Sequence, residues 1–321
     1  MFSRRAPVHV SALLCLIALP AHAATIRHDR RDFDYTSSSV LFTSVGRFTG
    51  SGTTADGQPI NYSASGTLIA PDWVLTAGHV VDIADSLTFT LNNTPIPADA
   101  WFHHPSWTGD LTTGYDIALV HLPTPVTNVT PANLYKGGLE LGRIGTYVGY
   151  GKTGTGLTGA TTFDGQKRAA QNMVDAWFNN NPRILMSDFD NPSPYAYFDN
   201  ITGSRTPLYI EGLLAPGDSG GGLFITADDG KRYLAGVNSF VGASLFDLKP
   251  DSDYGDFSGA TRVTWFTPWI ANTIANYTPL PPIPPGEATS PGTLTAAITP
   301  VPEPGTIVGL TISILLLTRR R

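Results

Sequence analysis

The 321-residue sequence is poor in cysteine, because Cys15 is the only one and lies in an apolar run near the N-terminus. If that run is removed as a leader, the remaining chain can form no disulfide, no cysteine-based zinc site and no thiol nucleophile. A chain of this length can bury a sufficient core without disulfides, so their absence is compatible with an exported protein.

Positive charge is also scarce, with 20 basic against 26 acidic residues and a formal net charge of -6. Because nucleic-acid-binding proteins usually carry a basic face, the sequence predicts no nucleic-acid partner. Sustained helical periodicity is missing except over residues 268–277, where Trp269, Ile270, Ile274 and Tyr277 share one face. The sequence therefore predicts one helix, near the end of the folded part.

Glycine and proline are abundant instead, at 33 and 26 residues, and short β-type runs alternate with turn clusters. The pattern predicts long loops over residues 152–205 and an all-β fold of antiparallel barrels or a sandwich with one terminal helix. Strands are predicted at residues 40–48, 66–69, 73–76, 87–91, 117–122, 144–149, 208–210, 221–225 and 233–240.

Residues 1–23 have the three parts of a secretory signal peptide. Arg4 and Arg5 precede a short apolar run at residues 10–19, and the small residues of Ala21-His22-Ala23 follow it. This order predicts export and cleavage after Ala23. A buried N-terminal helix is the alternative interpretation.

The C-terminal residues 301–321 begin with VPEPG, continue with an apolar run at residues 306–318 and end with three arginines. By length the run is marginal for a membrane span, and the arginines suit a cytoplasmic end. This order resembles the PEP-CTERM sorting tail of certain Gram-negative bacteria. The resemblance implies transient membrane insertion, processing by an exosortase-type enzyme, and then release or surface attachment. A plain C-terminal anchor is the alternative.

A Pro-rich segment over residues 278–300 precedes the tail and predicts an extended spacer. The folded domain is therefore predicted to cover residues 35–277.

Three short segments carry the residues needed for acyl transfer: WVLTAGHV at residues 73–80, YDIALV at 115–120 and GDSGG at 217–221. A serine hydroxyl needs a histidine to take its proton, and a carboxylate orients that histidine. Taken separately, each segment also fits a purely structural role: a glycine-rich turn, a core histidine or an aspartate at the start of a strand. Their joint occurrence favours the catalytic interpretation.

The three segments resemble those of the chymotrypsin-like (trypsin-type) serine peptidases, in that family's order of His, Asp and Ser. Further similar segments are SGTLI at residues 65–69, YVGYG at 147–151, LAGVNSF at 234–240, and residues 261–263 with 269–270. The resemblance implies two six-stranded antiparallel β-barrels with the site in the cleft between them.

Site residues follow from the same resemblance. His79 is implied as general base and then acid, Asp116 as its orienting partner and Ser219 as nucleophile. The N–H groups of Gly217 and Ser219 are implied as the oxyanion hole, and residues 239–240 (Ser239 and Phe240) as part of the strand that pairs with substrate.

Two details depart from the family's pattern or refine it. Gly78 stands where the family usually has alanine. Family members that are cut to a new amino terminus pair it with the aspartate before the serine, which is Asp218 here. No such start is found near residue 40, so we expect Asp218 to be satisfied in another way, without zymogen cleavage.

Leu213, six residues before Ser219, is expected at the base of the primary specificity pocket, with Phe240 narrowing it. Leucine offers no counter-charge, so an apolar or small side chain is predicted before the cut. His103, His104 and His121 lack metal-ligand spacing and are predicted to be structural or surface residues. Residues 188–191 (DFDN) resemble a calcium-binding turn but more often form a solvated one. No metal and no cofactor are predicted.

The sequence thus predicts an exported serine endopeptidase of a Gram-negative bacterium that acts on a protein or peptide substrate. A non-catalytic surface or binding protein on the same fold is the first alternative. An esterase, which shares the acyl chemistry, is the second.

Overall fold

The computed structural model describes residues 24–278 except residues 55, 195, 197–201 and 244–247. The predicted leader, nearly all of the Pro-rich segment and the C-terminal tail lie outside these described residues. Within them, no helix combines the length and the apolar character that crossing a membrane requires.

The first part of the described chain contains eight strands and two short helices. In chain order these are β1 (Ala24–Ile26), α1 (Asp32–Ser39), β2 (Val45–Thr53), β3 (Pro59–Ala70), β4 (Trp73–Thr76), α2 (Gly78–Asp82), β5 (Ala84–Leu91), β6 (Thr94–Pro97), β7 (Ala100–His103) and β8 (Ala118–His121). Strands β2 to β8 form one curled antiparallel sheet in the order β6-β5-β2-β3-β4-β8-β7. This sheet is called the first barrel below.

The second part contains ten strands and the terminal helix. These are β9 (Ile144–Gly149), β10 (Thr153–Thr155), β11 (Gly159–Thr162), β12 (Arg168–Met173), β13 (Ala176–Trp177), β14 (Ile184–Asp188), β15 (Gly212–Leu213), β16 (Gly222–Thr226), β17 (Arg232–Gly242), β18 (Phe257–Arg262) and α3 (Thr267–Asn276). The second barrel is a curled antiparallel sheet in the order β12-β9-β16-β17-β18-β14-β13, and a small sheet runs β11-β10-β1-β15.

One apolar cluster joins the two barrels. It includes Phe48 and Leu119 from the first barrel and Val148, Phe224 and Val237 from the second. Because apolar area of both sheets is removed from water in a single core, burial of that area holds the barrels against each other. The shared core therefore fixes the position of the two barrels relative to each other.

Helix α3 returns the chain to the first barrel. Its residue Ile270 is buried, and Tyr277 just after it packs edge-on against Trp73 and close to His121. The helix covers residues 267–276, which differs by one residue at each end from the 268–277 that the periodicity predicts. The end of the described chain therefore packs against strands of the first barrel.

The structure confirms an all-β fold of two curled antiparallel sheets with a C-terminal helix. Each sheet has seven strands where six were predicted, because short edge strands such as β6 and β13 extend them. The strands predicted at residues 73–76 and 144–149 match β4 and β9.

Two strand predictions were wrong. Residues 209–210 form a turn, and the predicted strand at residues 40–48 starts too early. The region 152–205 contains loops as predicted, together with strands β10 to β14. Strand β2 begins only at Val45, because α1 and a turn occupy the residues before it. This eight-residue helix has little helical pattern of its own. It depends on tertiary contacts, among them the Tyr35 hydroxyl that donates to the Glu211 carbonyl (2.8 Å).

Candidate active site

Asp116 lies just before β8 and is completely buried. Its Oδ1 accepts the backbone N–H of His79 at 2.9 Å, and its Oδ2 accepts the Ser239 hydroxyl at 2.5 Å. The backbone carbonyl of Asp116 accepts the Thr261 hydroxyl at 2.9 Å. A buried carboxylate is tolerated only with such partners, and these come from both barrels.

His79 lies in α2, directly after β4, and its side chain is about one-third exposed (33%). Its Nδ1 lies 2.9 Å from Asp116 Oδ2. A carboxylate oxygen only accepts, so Nδ1 carries the proton and Nε2 is left with a free lone pair. Gly78 precedes it because a methyl group there would come within 3.2 Å of Asp116 Oδ1 and of the Trp107 ring.

Ser219 lies in the turn between β15 and β16, and one bond to β17 and one bond within the turn hold its backbone. The N–H of Gly220 donates to the Asn238 carbonyl at 2.8 Å, and the N–H of Gly221 donates to the Asp218 carbonyl at 2.9 Å. Gly217 has a φ of +100°, a value that glycine adopts without steric cost. Both Gly217 and Ser219 are partly exposed at the cleft.

Asp116 contacts His79 directly, and β17 links this pair to the turn that carries Ser219. Ser239 contacts Asp116, and its neighbour Asn238 accepts the N–H of Gly220, which follows Ser219. Gly220 also lies against Thr76, since a methyl group at Gly220 would overlap the Thr76 hydroxyl. Among the described residues no hydrogen bond joins His79 Nε2 to Ser219 Oγ.

Asp218 points away from the cleft into the second barrel and is buried (2% exposed). Its Oδ1 accepts the N–H of Gly151 at 2.8 Å and its Oδ2 accepts the N–H of Ala215 at 2.9 Å. Gly149 and Gly151 leave room for it, since a methyl group at either would lie within 2.6 Å of Asp218 atoms. Burial raises the pKa of Asp218 to about 7, against the lowering effect of these two bonds.

Leu213 lies in β15, fully buried, in an apolar cluster with Phe189 and Tyr254, against which Val241 packs. Strand β17 has a register shift between Asn238 and Phe240, which interrupts the simple alternation of side chains there. Phe240 packs against Phe178, with ring centroids 5.3 Å apart. Val241 rather than Phe240 packs against the Leu213 cluster.

Two functional contacts escaped the sequence analysis. Val241 was not predicted, because the register shift at Ser239 interrupts the alternation that would indicate the direction of its side chain. Ser65 was quoted only as part of a similar segment, yet its hydroxyl donates to the Gly217 carbonyl at 2.9 Å. No sequence signal predicts that bond, since it joins residues 152 positions apart.

The other predicted candidates lie away from the cleft residues. His104 is buried among Tyr115, Phe266 and Trp269, and burial lowers the pKa of His104 to about 4. His121 Nδ1 lies 2.6 Å from Asp99 Oδ1, and His103 Nδ1 lies 3.2 Å from the His104 carbonyl.

Acidic residues also gather at two places. Asp188 and Asp190 are buried, which excludes a solvated turn there. Elsewhere among the described residues, ligand oxygens of Asp251, Asp253 and Asp256 lie within 4.8 Å of one another. Exposed acidic groups often cluster without a cation, so this geometry alone assigns no metal site.

Sequence comparisons point in one direction. A family model described as Trypsin matches residues 44–181. Proproteinase E of Bos taurus is 30% identical over 238 residues, covering 67% of this chain and 85% of that protein. Chymotrypsin-like elastase family member 3A of Homo sapiens is 28% identical, with 67% and 80% covered. An uncharacterized peptidase of Corynebacterium glutamicum is also 28% identical, with 79% and 74% covered.

Solved structures give the same architecture. A structure titled HL collagenase superposes with a TM-score of 0.52 and 21% sequence identity, covering 76% of this chain and 97% of that one. At this identity the likeness concerns the fold alone.

The raised pKa of Asp218 predicts a measurable effect of pH on stability. The folded state binds the proton more tightly than the unfolded state, whose aspartate titrates near pH 4. The contribution of Asp218 is therefore fully present below about pH 4 and is lost as the pH rises through about 7. In Asp218→Asn, the slope of unfolding free energy against pH should be less negative by up to about 1.4 kcal/mol per pH unit.

Urea unfolding at several values between pH 4.5 and 7 measures both slopes. The pKa values of Asp175 and Glu211 are also raised, to about 8, mainly by burial. Both residues are present in both proteins, so their contribution cancels in the comparison. Parallel curves would mean that Asp218 stays ionised throughout this range.

Proposed function

This chain belongs to the trypsin family of chymotrypsin-like serine peptidases and is a serine endopeptidase; we propose that it is exported and cuts peptide bonds with a triad of His79, Asp116 and Ser219. The observation that carries the triad is the 2.9 Å contact between His79 Nδ1 and the fully buried Asp116. It holds His79 with Nε2 free to act as a base at the cleft.

In the proposed reaction, Ser219 Oγ attacks the scissile carbonyl carbon while His79 Nε2 takes its proton. Asp116 stabilises the resulting imidazolium without itself becoming protonated. The N–H groups of Gly217 and Ser219 receive the oxyanion of the tetrahedral intermediate. His79 then gives its proton to the leaving amine, and water hydrolyses the acyl-enzyme by the same steps. The contact between Nε2 and Oγ is expected to tighten when substrate is bound.

The direct test of the triad is labelling of the purified folded domain with a fluorophosphonate probe beside a casein digest. We expect labelling and digestion by the wild-type protein and neither by Ser219→Ala. Asp116→Asn should lower kcat by about 10,000-fold, because the amide supports the wrong histidine tautomer. Ser193→Ala, which changes an exposed serine in the loop before β15, is the control and should label fully.

Each other outcome selects an alternative. Absence of labelling in the wild-type protein would favour a non-catalytic binding protein on this fold. Labelling without digestion of casein or of a peptide library would favour an esterase. Labelling that persists in Ser219→Ala would place the nucleophile elsewhere.

The specificity pocket is proposed to accept a small or apolar side chain before the cut. Leu213 offers no charge, and it packs in an apolar cluster with Phe189, Tyr254 and Val241. The branched side chain of Val241 is proposed to narrow the pocket, a role that the sequence analysis gave to Phe240. A lysine or arginine would bring an unpaired charge into these surroundings, at a large desolvation cost.

A peptide library with all side chains at the position before the cut tests this pocket. The wild-type protein should prefer alanine, valine or leucine, and Val241→Gly should raise kcat/KM for phenylalanine relative to alanine by about tenfold or more. Phe240→Ala is the matched control and should change that ratio much less. A clear preference for lysine or arginine would contradict the proposed pocket.

Export is proposed from the two chain ends. The leader at residues 1–23 predicts a cut after Ala23, and β1 begins at Ala24, where it pairs with β10 and β15. A chain cut there keeps every residue of that small sheet. The tail at residues 301–321 is proposed to insert transiently into the membrane and to be processed by an exosortase-type enzyme. No zymogen cleavage is proposed, because Asp218 already accepts two backbone bonds.

Mass spectrometry of the protein exported by a Gram-negative host with such a processing enzyme tests these ends. We expect an amino terminus at Ala24 and loss of the apolar run at residues 306–318. Replacement of Pro302, Glu303 and Pro304 by alanine should keep the run attached and the protein in the membrane fraction. An amino terminus within residues 38–46 would instead indicate activation by cleavage.

A further inference from the structure

Ser65 connects the two barrels at the candidate active site. It lies in β3 of the first barrel and is fully buried. Its backbone N–H donates to the carbonyl of Ser219 at 2.8 Å, so the strand holds the residue proposed as nucleophile. This bond crosses from one barrel to the other.

The side chain of Ser65 makes two more bonds across the same boundary. Its hydroxyl donates to the Gly217 carbonyl at 2.9 Å and accepts the N–H of Tyr150 at 2.9 Å. Donor and acceptor functions of one buried hydroxyl are thus both used on second-barrel backbone. A residue without a hydroxyl would leave that carbonyl and that N–H without these partners.

The backbone of Gly217 can adopt many conformations, so a hydrogen bond to its carbonyl is needed to hold it in one of them. Its φ of +100° is open to glycine but strained for other residues, and glycine has no side chain to anchor the peptide. Its N–H is one of the two donors proposed for the oxyanion. Donors stabilise an oxyanion most when their orientation is established before the reaction, since no free energy is then spent on reorienting them.

Ser65 also links this turn to the histidine side of the cleft. The Thr76 hydroxyl donates to the Ser65 carbonyl at 2.9 Å, and Thr76 lies three residues before His79 at the end of β4. Hydrogen bonds therefore connect the Ser219 turn through Ser65 to the strand that leads to His79. These contacts link the two barrels at the turn that carries Ser219.

We propose that Ser65 is a positioning residue for the oxyanion hole, an inference that rests on the proposed function. Its hydroxyl holds the Gly217 carbonyl, and its amide holds the Ser219 carbonyl. The N–H groups of these same two residues are the donors proposed for the oxyanion. Ser65 acts through Gly217 and Ser219 and does not itself touch the substrate.

Ser65→Ala tests this role in the whole folded enzyme with a peptide substrate. We expect kcat to fall about 10- to 100-fold, less than for the loss of an oxyanion donor itself, while KM changes less than about threefold. A peptide aldehyde, which forms a tetrahedral adduct with the nucleophile, should lose affinity by the same factor as kcat/KM. The pH dependence of kcat should keep its midpoint, because His79 and Asp116 are unchanged.

Ser63→Ala is the matched control on the same strand. Its hydroxyl donates to the Phe48 carbonyl at 3.2 Å, which lies within the first barrel. This variant loses a similar bond but should keep kcat within about twofold of the wild-type value. Thermal unfolding of both variants separates a loss of folded protein from a loss of rate per folded molecule. If Ser65→Ala does not fold, Ser65→Cys is tested instead. The expected fall in kcat is then smaller, because the thiol still forms weak hydrogen bonds.

Two results would overturn the inference. One is a kcat of Ser65→Ala or Ser65→Cys equal to that of the wild-type protein; the other is a loss that appears in KM alone or equally in Ser63→Ala. Fluorophosphonate labelling of the wild-type protein separates these from failure of the proposed function. If the wild-type protein shows no Ser219-dependent labelling, the proposed function fails. If it does show this labelling and either result above is found, only the role of Ser65 fails.

Discussion

The buried carboxylate of Asp116 is the group on which the rest of the site depends. It has no exposure to water, and an ionised carboxylate in such surroundings is costly unless hydrogen bonds replace its hydration. Its partners are His79, which follows β4 of the first barrel, and Ser239 in β17 of the second. The same bonds that compensate the charge therefore require the two barrels to be docked.

The nucleophile turn imposes a second constraint, that of space. Gly217, Gly220 and Gly221 let it pass close to Gly151, Thr76 and the Val148 carbonyl, where a methyl group at any of the three would overlap a neighbour. Close approach of backbone segments brings Ser65 within reach of two carbonyls in this turn. The glycines thus permit the geometry, and hydrogen bonds from the first barrel then select it.

Buried acidic groups give the second barrel a distinct electrostatic character. Burial raises the pKa values of Asp175, Glu211 and Asp218, and Glu211 accepts the N–H groups of Asp190 and Leu208. Opposite charges elsewhere are paired in bidentate fashion, as Arg262 is with the fully buried Glu140. The net charge of the chain is -6. Protonation of the three buried carboxyl groups with raised pKa values favours the folded state.

The sequence alone predicted the fold class and the terminal helix, which the structure confirms, and it named the residues of the candidate triad. It could do so because strand alternation, turn residues and the three short segments are local signals. Even Gly149 and Gly151, quoted as part of a similar segment, stand where Asp218 needs room. Helix α1 and strand β15 could not be predicted, since their stability comes from contacts with distant residues rather than from their own pattern.

Only the tertiary structure decided which side chains meet. Val241 rather than Phe240 packs against the Leu213 cluster, whose members are distant from β17 in the sequence. Ser65 reaches Gly217 across 152 residues, a bond that exists only after both barrels have folded and docked. Short sequence segments identify which residues can take part in the chemistry. The positions of hydrogen-bond donors and pocket walls depend instead on packing between residues that are distant in sequence.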